Sequence, residues 1–248
     1  MLIRRFASLF LGLWLYGFSM AMMIAAGLGL DPWDVFHQGV AERFSLSFGV
    51  IAAITGALVL LLWIPLRQRP GFGTVANVVV IAISVDTSLA FLPDFDSMPV
   101  RILMLVSGVL LNGLASVLYI GAGMGPGPRD GLMTGFVART GLSVRLVRTS
   151  IEVVVLAVGW VLGGTVGVGT VLYALGIGPT IQLLIKVLPD SMTAAVTGTR
   201  KARTVGPLTV SVEPTATGPA EPGSPVAVAE SNTGTSEPSN HSGVPTVI

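Results

Sequence analysis

Five polar side chains sit where an apolar chain can least accommodate them. Asp34 and Asp130 each lie two residues after a proline, in Asp-Pro-Trp-Asp and Gly-Pro-Arg-Asp. Asp86 lies between Val85 and Thr87 in a long apolar run, and Asn112 and Gln182 lie in two others. A carboxylate or carboxamide in such a setting can carry a proton, bind a cation or hydrogen-bond a neighbouring helix. Asp34, Asp86, Asn112, Asp130 and Gln182 are therefore the candidate lining of a substrate or ion pathway. The structural alternative for each is packing: interhelical hydrogen bonds for Asp86, Asn112 and Gln182, and helix starts for the two Pro–Asp motifs.

Other chemistries lack their residues. There is no Cys, hence no disulfide, thiolate ligand or cysteine nucleophile. His37 has no partner histidine nearby and His241 is far along the chain, so no metal site is expected. Gly-x-Ser-x-Gly and His-Glu-x-x-His are both absent. Of the carboxylates, Asp86 alone lies deep in an apolar run, which disfavours an intramembrane aspartyl pair. The glycines at 123, 125, 127 and 131 suggest a phosphate loop, but no strand precedes them and no Lys-Ser/Thr follows. Close helix packing accounts for them better. Arg148 and Glu152 stand four apart, a spacing that suits a local ion pair. The expected protein is not an enzyme and uses no cofactor.

The elements that hold these side chains are helices in a bilayer. Hydrophobic residues make up 52% of the 248 and charged residues 11%, where a soluble domain carries roughly 25% charged. Such a chain cannot cover a water-facing surface. Spanning the hydrocarbon takes about 20 mostly apolar residues. Six stretches are expected to span, near 6–26, 48–66, 73–92, 102–122, 146–162 and 168–187. The fifth is short and carries Glu152. Asp31 is a good N-cap, Pro32 suits the first helical position and Asp34 the third. A short helix of about 13 residues should follow and end near Ser45, too short to span, lying at the interface or re-entering beside the repeat junction. Residues 191–248 are rich in Pro, Gly, Ser and Thr and are expected to form a disordered cytoplasmic tail.

The chain repeats itself. A shift of 96 residues sets Arg5 on Arg101, Ala26-Gly27 on Ala122-Gly123, Pro32 on Pro128, Asp34 on Asp130 and Gly73-Thr74 on Gly169-Thr170. It also pairs Tyr16 with Asn112, Asn77 with Tyr173 and Asp86 with Gln182. The expected units are 1–95 and 96–190, followed by the tail at 191–248. The first span matches the fourth, so it is expected to be retained and not cleaved as a signal. Each unit holds three spans, an odd number, so the second copy is expected upside down relative to the first. With the N-terminus in the cytoplasm, only Arg43 and Arg101 fall outside. Arg4, Arg5, Arg67, Arg69, Arg129, Arg139, Arg145, Arg148, Lys186 and the basic residues of the tail fall inside. Asp31 and Asp34 then sit outside and Asp130 inside. The fold class is an all-α membrane protein, with six transmembrane helices as two inverted three-helix repeats and a disordered tail.

The stretch Gly27 to Asp34, Gly-Leu-Gly-x-x-Pro-Trp-Asp, resembles the opening signature of the YczE-like family of bacterial multi-pass membrane proteins. Gly123 to Gly131, Gly-Met-Gly-Pro-Gly-Pro-Arg-Asp-Gly, resembles the family's second signature. The resemblance covers roughly residues 5–190 and implies an integral inner-membrane protein whose role is undefined and whose functional residues are not assigned. The tail from Ser191 departs from the compact form of the family. Inverted repeats are the architecture of many secondary transporters. The expected function is a small secondary transporter or permease of unknown substrate; the alternative is a non-transporting membrane factor that organises or regulates a partner protein. Expected partners are the lipid bilayer and a small-molecule or ion substrate, with no nucleic acid and with a homo-oligomer left open. The expected location is the cell (inner) membrane, multi-pass, with both termini cytoplasmic.

Overall fold

Apolar runs bounded by Ser, Gly, Asp and Pro produce eight helices among the described residues. The computed structural model describes residues 2–93 and 95–188; the tail expected at 191–248 lies outside the described residues. The helices are α1 (Leu2–Ala26), α2 (Pro32–Phe44), α3 (Phe48–Leu66), α4 (Phe72–Phe91), α5 (Met98–Gly121), α6 (Pro128–Thr140), α7 (Val144–Val161) and α8 (Val168–Val187). The starts of α2, α3 and α4 recur 96 residues later as the starts of α6, α7 and α8. The short helix after the first motif begins where its capping chemistry dictates. The Asp31 side chain accepts from the Asp34 N–H at 2.8 Å, and Ser45 ends the helix in a left-handed conformation, φ 54°.

Five helices, α1, α3, α4, α5 and α8, are long and apolar enough to cross a bilayer. Of the six expected spans, α7 alone falls short of that length and apolarity. Its 18 residues include Arg145, Arg148 and Glu152, which leaves a continuous apolar run only in its second half. Leu58, Leu61, Val79, Leu103, Val171 and Leu175 lie exposed on the outer faces of α3, α4, α5 and α8. An apolar surface of this extent belongs in lipid.

The centre is the antiparallel pair α1 and α5, tied at both ends by matching bonds. Arg5 donates from Nε to the Ala122 carbonyl at 2.7 Å and from Nη2 to the Gly123 carbonyl at 2.6 Å. Arg101 does the same to Ala26 at 2.6 Å and Gly27 at 2.9 Å. The last carbonyls of a helix have no partner within it, and a cationic fork there also complements the helix dipole.

Beyond these ends the chain unwinds. Gly29 and Gly125 adopt φ 111° and 129°, a region L side chains rarely enter. Each unwound segment is received by the opposite half. Gly73 N–H donates to the Met124 carbonyl at 2.8 Å, and Gly169 N–H donates to the Leu28 carbonyl at 2.7 Å. The short helices cross over likewise, α2 packing against α7 and α6 against α3. Gly131 of α6 lies directly under the buried Trp63 ring of α3, whose Nε1 donates to the Pro128 carbonyl at 3.1 Å. A methyl group at 131 has no room. Gly131→Ala should destabilise by about 1–3 kcal/mol, read as a lower melting temperature in detergent. Gly178→Ala, where the added carbon meets nothing within 4 Å, should leave that temperature unchanged.

Candidate functional site

The two unwound segments meet. Arg129, at the start of α6, points its guanidinium at the start of α2. Nη1 lies 3.3 Å from Asp31 Oδ2 and Nη2 lies 3.4 Å from Asp34 Oδ1. The guanidinium also stacks over the Trp33 ring, 5.1 Å from its centroid. Asp31 and Asp34 are 2% and 0% exposed. Trp33 and Arg129 are equivalent residues in the 96-residue register, and they touch each other. Charge bias alone puts the loops of Asp31 and Arg129 on opposite faces of the membrane; in the fold their side chains lie 3.3 Å apart.

A cavity of about 100 Å³ lies beside this contact. Tyr16, Trp33, His37 and Asn77 line it from the first half, and Tyr119, Arg129 and Asp130 from the second. Tyr119 donates its hydroxyl to Asp130 Oδ2 at 3.3 Å and meets Tyr16 edge to face, centroids 6.0 Å apart. The path inward is laid down by α4. Thr74 donates to the Pro126 carbonyl at 2.8 Å, and Gly127 then faces Asn77 and the Tyr119 hydroxyl.

Two buried polar atoms here have no hydrogen-bond partner, Asp34 Oδ2 and His37 Nδ1. His37 Nδ1 is 3.4 Å from Asp34 Oδ1 but makes no hydrogen bond to it. Three carboxylates, Asp31, Asp34 and Asp130, thus face one guanidinium in a poorly hydrated interior. Such a set is costly unless the carboxyls take up protons or something else supplies positive charge.

The remaining expected site residues lie elsewhere. Asn112 is buried between α1, α5 and α8, donating to Ser19 Oγ at 2.9 Å and accepting from the Tyr173 hydroxyl at 3.0 Å. It braces helices behind the cavity. Gln182 is on the exposed face of α8. Asp86 is no lone carboxylate. It accepts from Ser47 Oγ at 2.6 Å and from Gly49 N–H at 2.7 Å, so it caps the start of α3 from the neighbouring α4. Sequence reasoning misses Arg129, His37, Tyr16 and Tyr119 as parts of the site. One signal points to Arg129: within a motif that repeats Ala-Gly-x-Gly-x-x-Pro-x-Asp, Trp33 is replaced by Arg129 and Asp31 by Gly127.

An all-helical membrane protein, with several apolar helices around a charged cavity, is the class that this fold and site define. The chain belongs to the family of unknown function DUF6198, which it matches over residues 3–186. It is 36% identical over 185 residues to an uncharacterized protein of Haemophilus influenzae, covering 75% of this chain and 85% of that relative. It is 34% identical over 193 residues to the uncharacterized membrane protein YczE of Bacillus subtilis, covering 77% and 88%. The resemblance carried by the two Pro–Asp motifs is therefore shown. No solved structure matches the chain.

Removing Arg129 strands two buried carboxylates. Arg129→Gln should cost about 3–5 kcal/mol, and adding Asp31→Asn and Asp34→Asn should restore most of it, since Asn still caps α2. Melting temperatures of the single and triple variants in detergent test this. A triple variant no more stable than Arg129→Gln would show that the guanidinium does not compensate those carboxylates. Asp86→Asn, which weakens only the cap on α3, should cost about 1 kcal/mol.

Proposed function

We propose that the protein is a small secondary transporter, with its substrate path through the Arg129 cavity. The carrying observation is that two broken segments, starting at opposite ends of the α1–α5 pair, meet beside a polar cavity lined by both halves. From Arg5 to Ala26, α1 rises about 32 Å at roughly 1.5 Å per residue, close to the thickness of the hydrocarbon core, about 30 Å. Segments leaving those ends can touch only by re-entering toward the middle. Irregular backbone at that depth is tolerated where it lines a cavity, and charged groups there default to function.

Inverted topology supports the same reading. α1 and α5 run antiparallel, and the Arg5 and Arg101 bonds are reciprocal. The contact between the equivalent residues Trp33 and Arg129 fits a twofold axis in the membrane plane. α7 would be the sixth crossing, its 18 residues rising about 27 Å, with Arg145, Arg148 and Glu152 in the half nearer one membrane surface. Discontinuous helices meeting at such an axis are the usual binding site of inverted-repeat transporters. The cytoplasmic placement of both termini and the inner membrane belong to this proposal.

The chain has no cysteine, so single cysteines report cleanly. Leu46→Cys and Leu142→Cys, at equivalent exposed positions after α2 and α6, should react with a membrane-impermeant maleimide from opposite faces of oriented vesicles. Reaction from the same face would end the inverted reading. Thr55→Cys, on the cavity wall, should react from both faces, since a transporter opens its cavity alternately. Reaction from neither face or only one favours the non-transporting membrane factor. Flux of screened solutes into liposomes then identifies the substrate.

A further inference from the structure

We infer that the cavity binds a small monovalent organic cation, a primary ammonium or a guanidinium, beside Asp130 and His37. The inference rests on the transport reading for its purpose but not for its chemistry.

Charge comes first. Asp31, Asp34 and Asp130 face Arg129 alone, and Arg148, the other guanidinium whose charge reaches Asp130, is paired with Glu152 at 3.0 Å. One guanidinium against three buried carboxyls leaves room for positive charge, whether a proton or a bound cation. The unsatisfied atoms agree. His37 Nδ1, on the cavity wall in a side chain 4% exposed, and Asp34 Oδ2, in one 0% exposed, both lack a hydrogen-bond partner. A carboxylate oxygen accepts, and a neutral imidazole presents an acceptor on one of its two nitrogens, so an N–H donor suits both residues.

The walls select among cations. Tyr16, Tyr119 and Trp33 present rings, which attract ammonium and guanidinium groups. Hard divalent ions call for six or more oxygen ligands, and no group of three or more metal-ligating side chains exists among the described residues. The protein supplies its own example: Arg129 sits between two carboxylates on the face of Trp33. A second cation would meet the same chemistry one step deeper, at Asp130. Anions are disfavoured, since Arg129 is committed to Asp31 and Asp34, and Asp130 occupies the first turn of α6. The volume, about 100 Å³, is room for several waters and admits a small organic cation.

Equilibrium dialysis of the purified full-length protein in detergent, with radiolabelled methylammonium, guanidinium, acetate and glycine in turn, decides the matter. The expected result is saturable binding of methylammonium or guanidinium at one site per chain, weakened at least tenfold in Asp130→Asn and unchanged in Asp86→Asn. Saturable binding of acetate or glycine in their place, or of neither cation, overturns the inference. If Asp130→Asn does not fold, protection of Thr55→Cys from maleimide decides between the same outcomes: by methylammonium and not acetate in support, the reverse or neither against. Binding is read without flux, so cation binding with Thr55→Cys closed from one face would sink the transport reading alone. Anion flux without cation binding would sink only the cation site.

Discussion

Each place where the chain leaves the helix exposes carbonyls that some other part of the protein must satisfy, and this constraint organises the structure. The breaks follow α1 and α5, at Gly27–Asp31 and Gly123–Gly127. Their carbonyl partners come from the opposite half: Arg101 and Gly169 for the first, Arg5, Gly73 and Thr74 for the second. In lipid an unsatisfied peptide group costs several kcal/mol. Neither half could keep its broken segment without the other, and the interlocking of α2 with α7 and α3 with α6 follows from the same need.

The frame and the site differ in tightness. The bonds that receive the broken segments are 2.6–2.9 Å long, whereas the Arg129 and Tyr119 contacts at the cavity are 3.3–3.4 Å. A buried ion pair is weak evidence for stability, because desolvation consumes most of its attraction. Two carboxylates on one guanidinium add little to the fold as such, and the short bonds outside them suffice to hold the helices. What the cluster contributes is a polarised interior with slack in it.

Local chemistry is legible in the sequence and distant neighbours are not. The Asp31 cap, Pro32 and the end at Ser45 are decided within a few residues, so α2 can be placed to the residue. α7 betrays its weakness through Arg145, Arg148 and Glu152. Asp86 looks isolated because the groups that bind it, on Ser47 and Gly49, lie 39 and 37 residues away. Arg129 is hidden for a different reason. Charge bias treats every basic residue between spans as lying on a face of the membrane, and nothing in that count says that a loop turns back inward. The repeat pairs Asp34 with Asp130, but the arginine that dominates their surroundings is visible only as one of the mismatches between the two related motifs.

That mismatch has a consequence for how such a molecule can be built. Trp33 and Arg129 hold equivalent positions and lie against each other. Two separate copies of a single half, assembled with the same geometry, would place identical side chains there. Two tryptophans would leave the carboxylates without a counter-charge, and two arginines would press like charges together across a poorly screened gap. A ring on one side and a guanidinium on the other requires that the two halves be different sequences. Joining them in one chain makes that difference heritable as a unit and fixes their ratio at one to one.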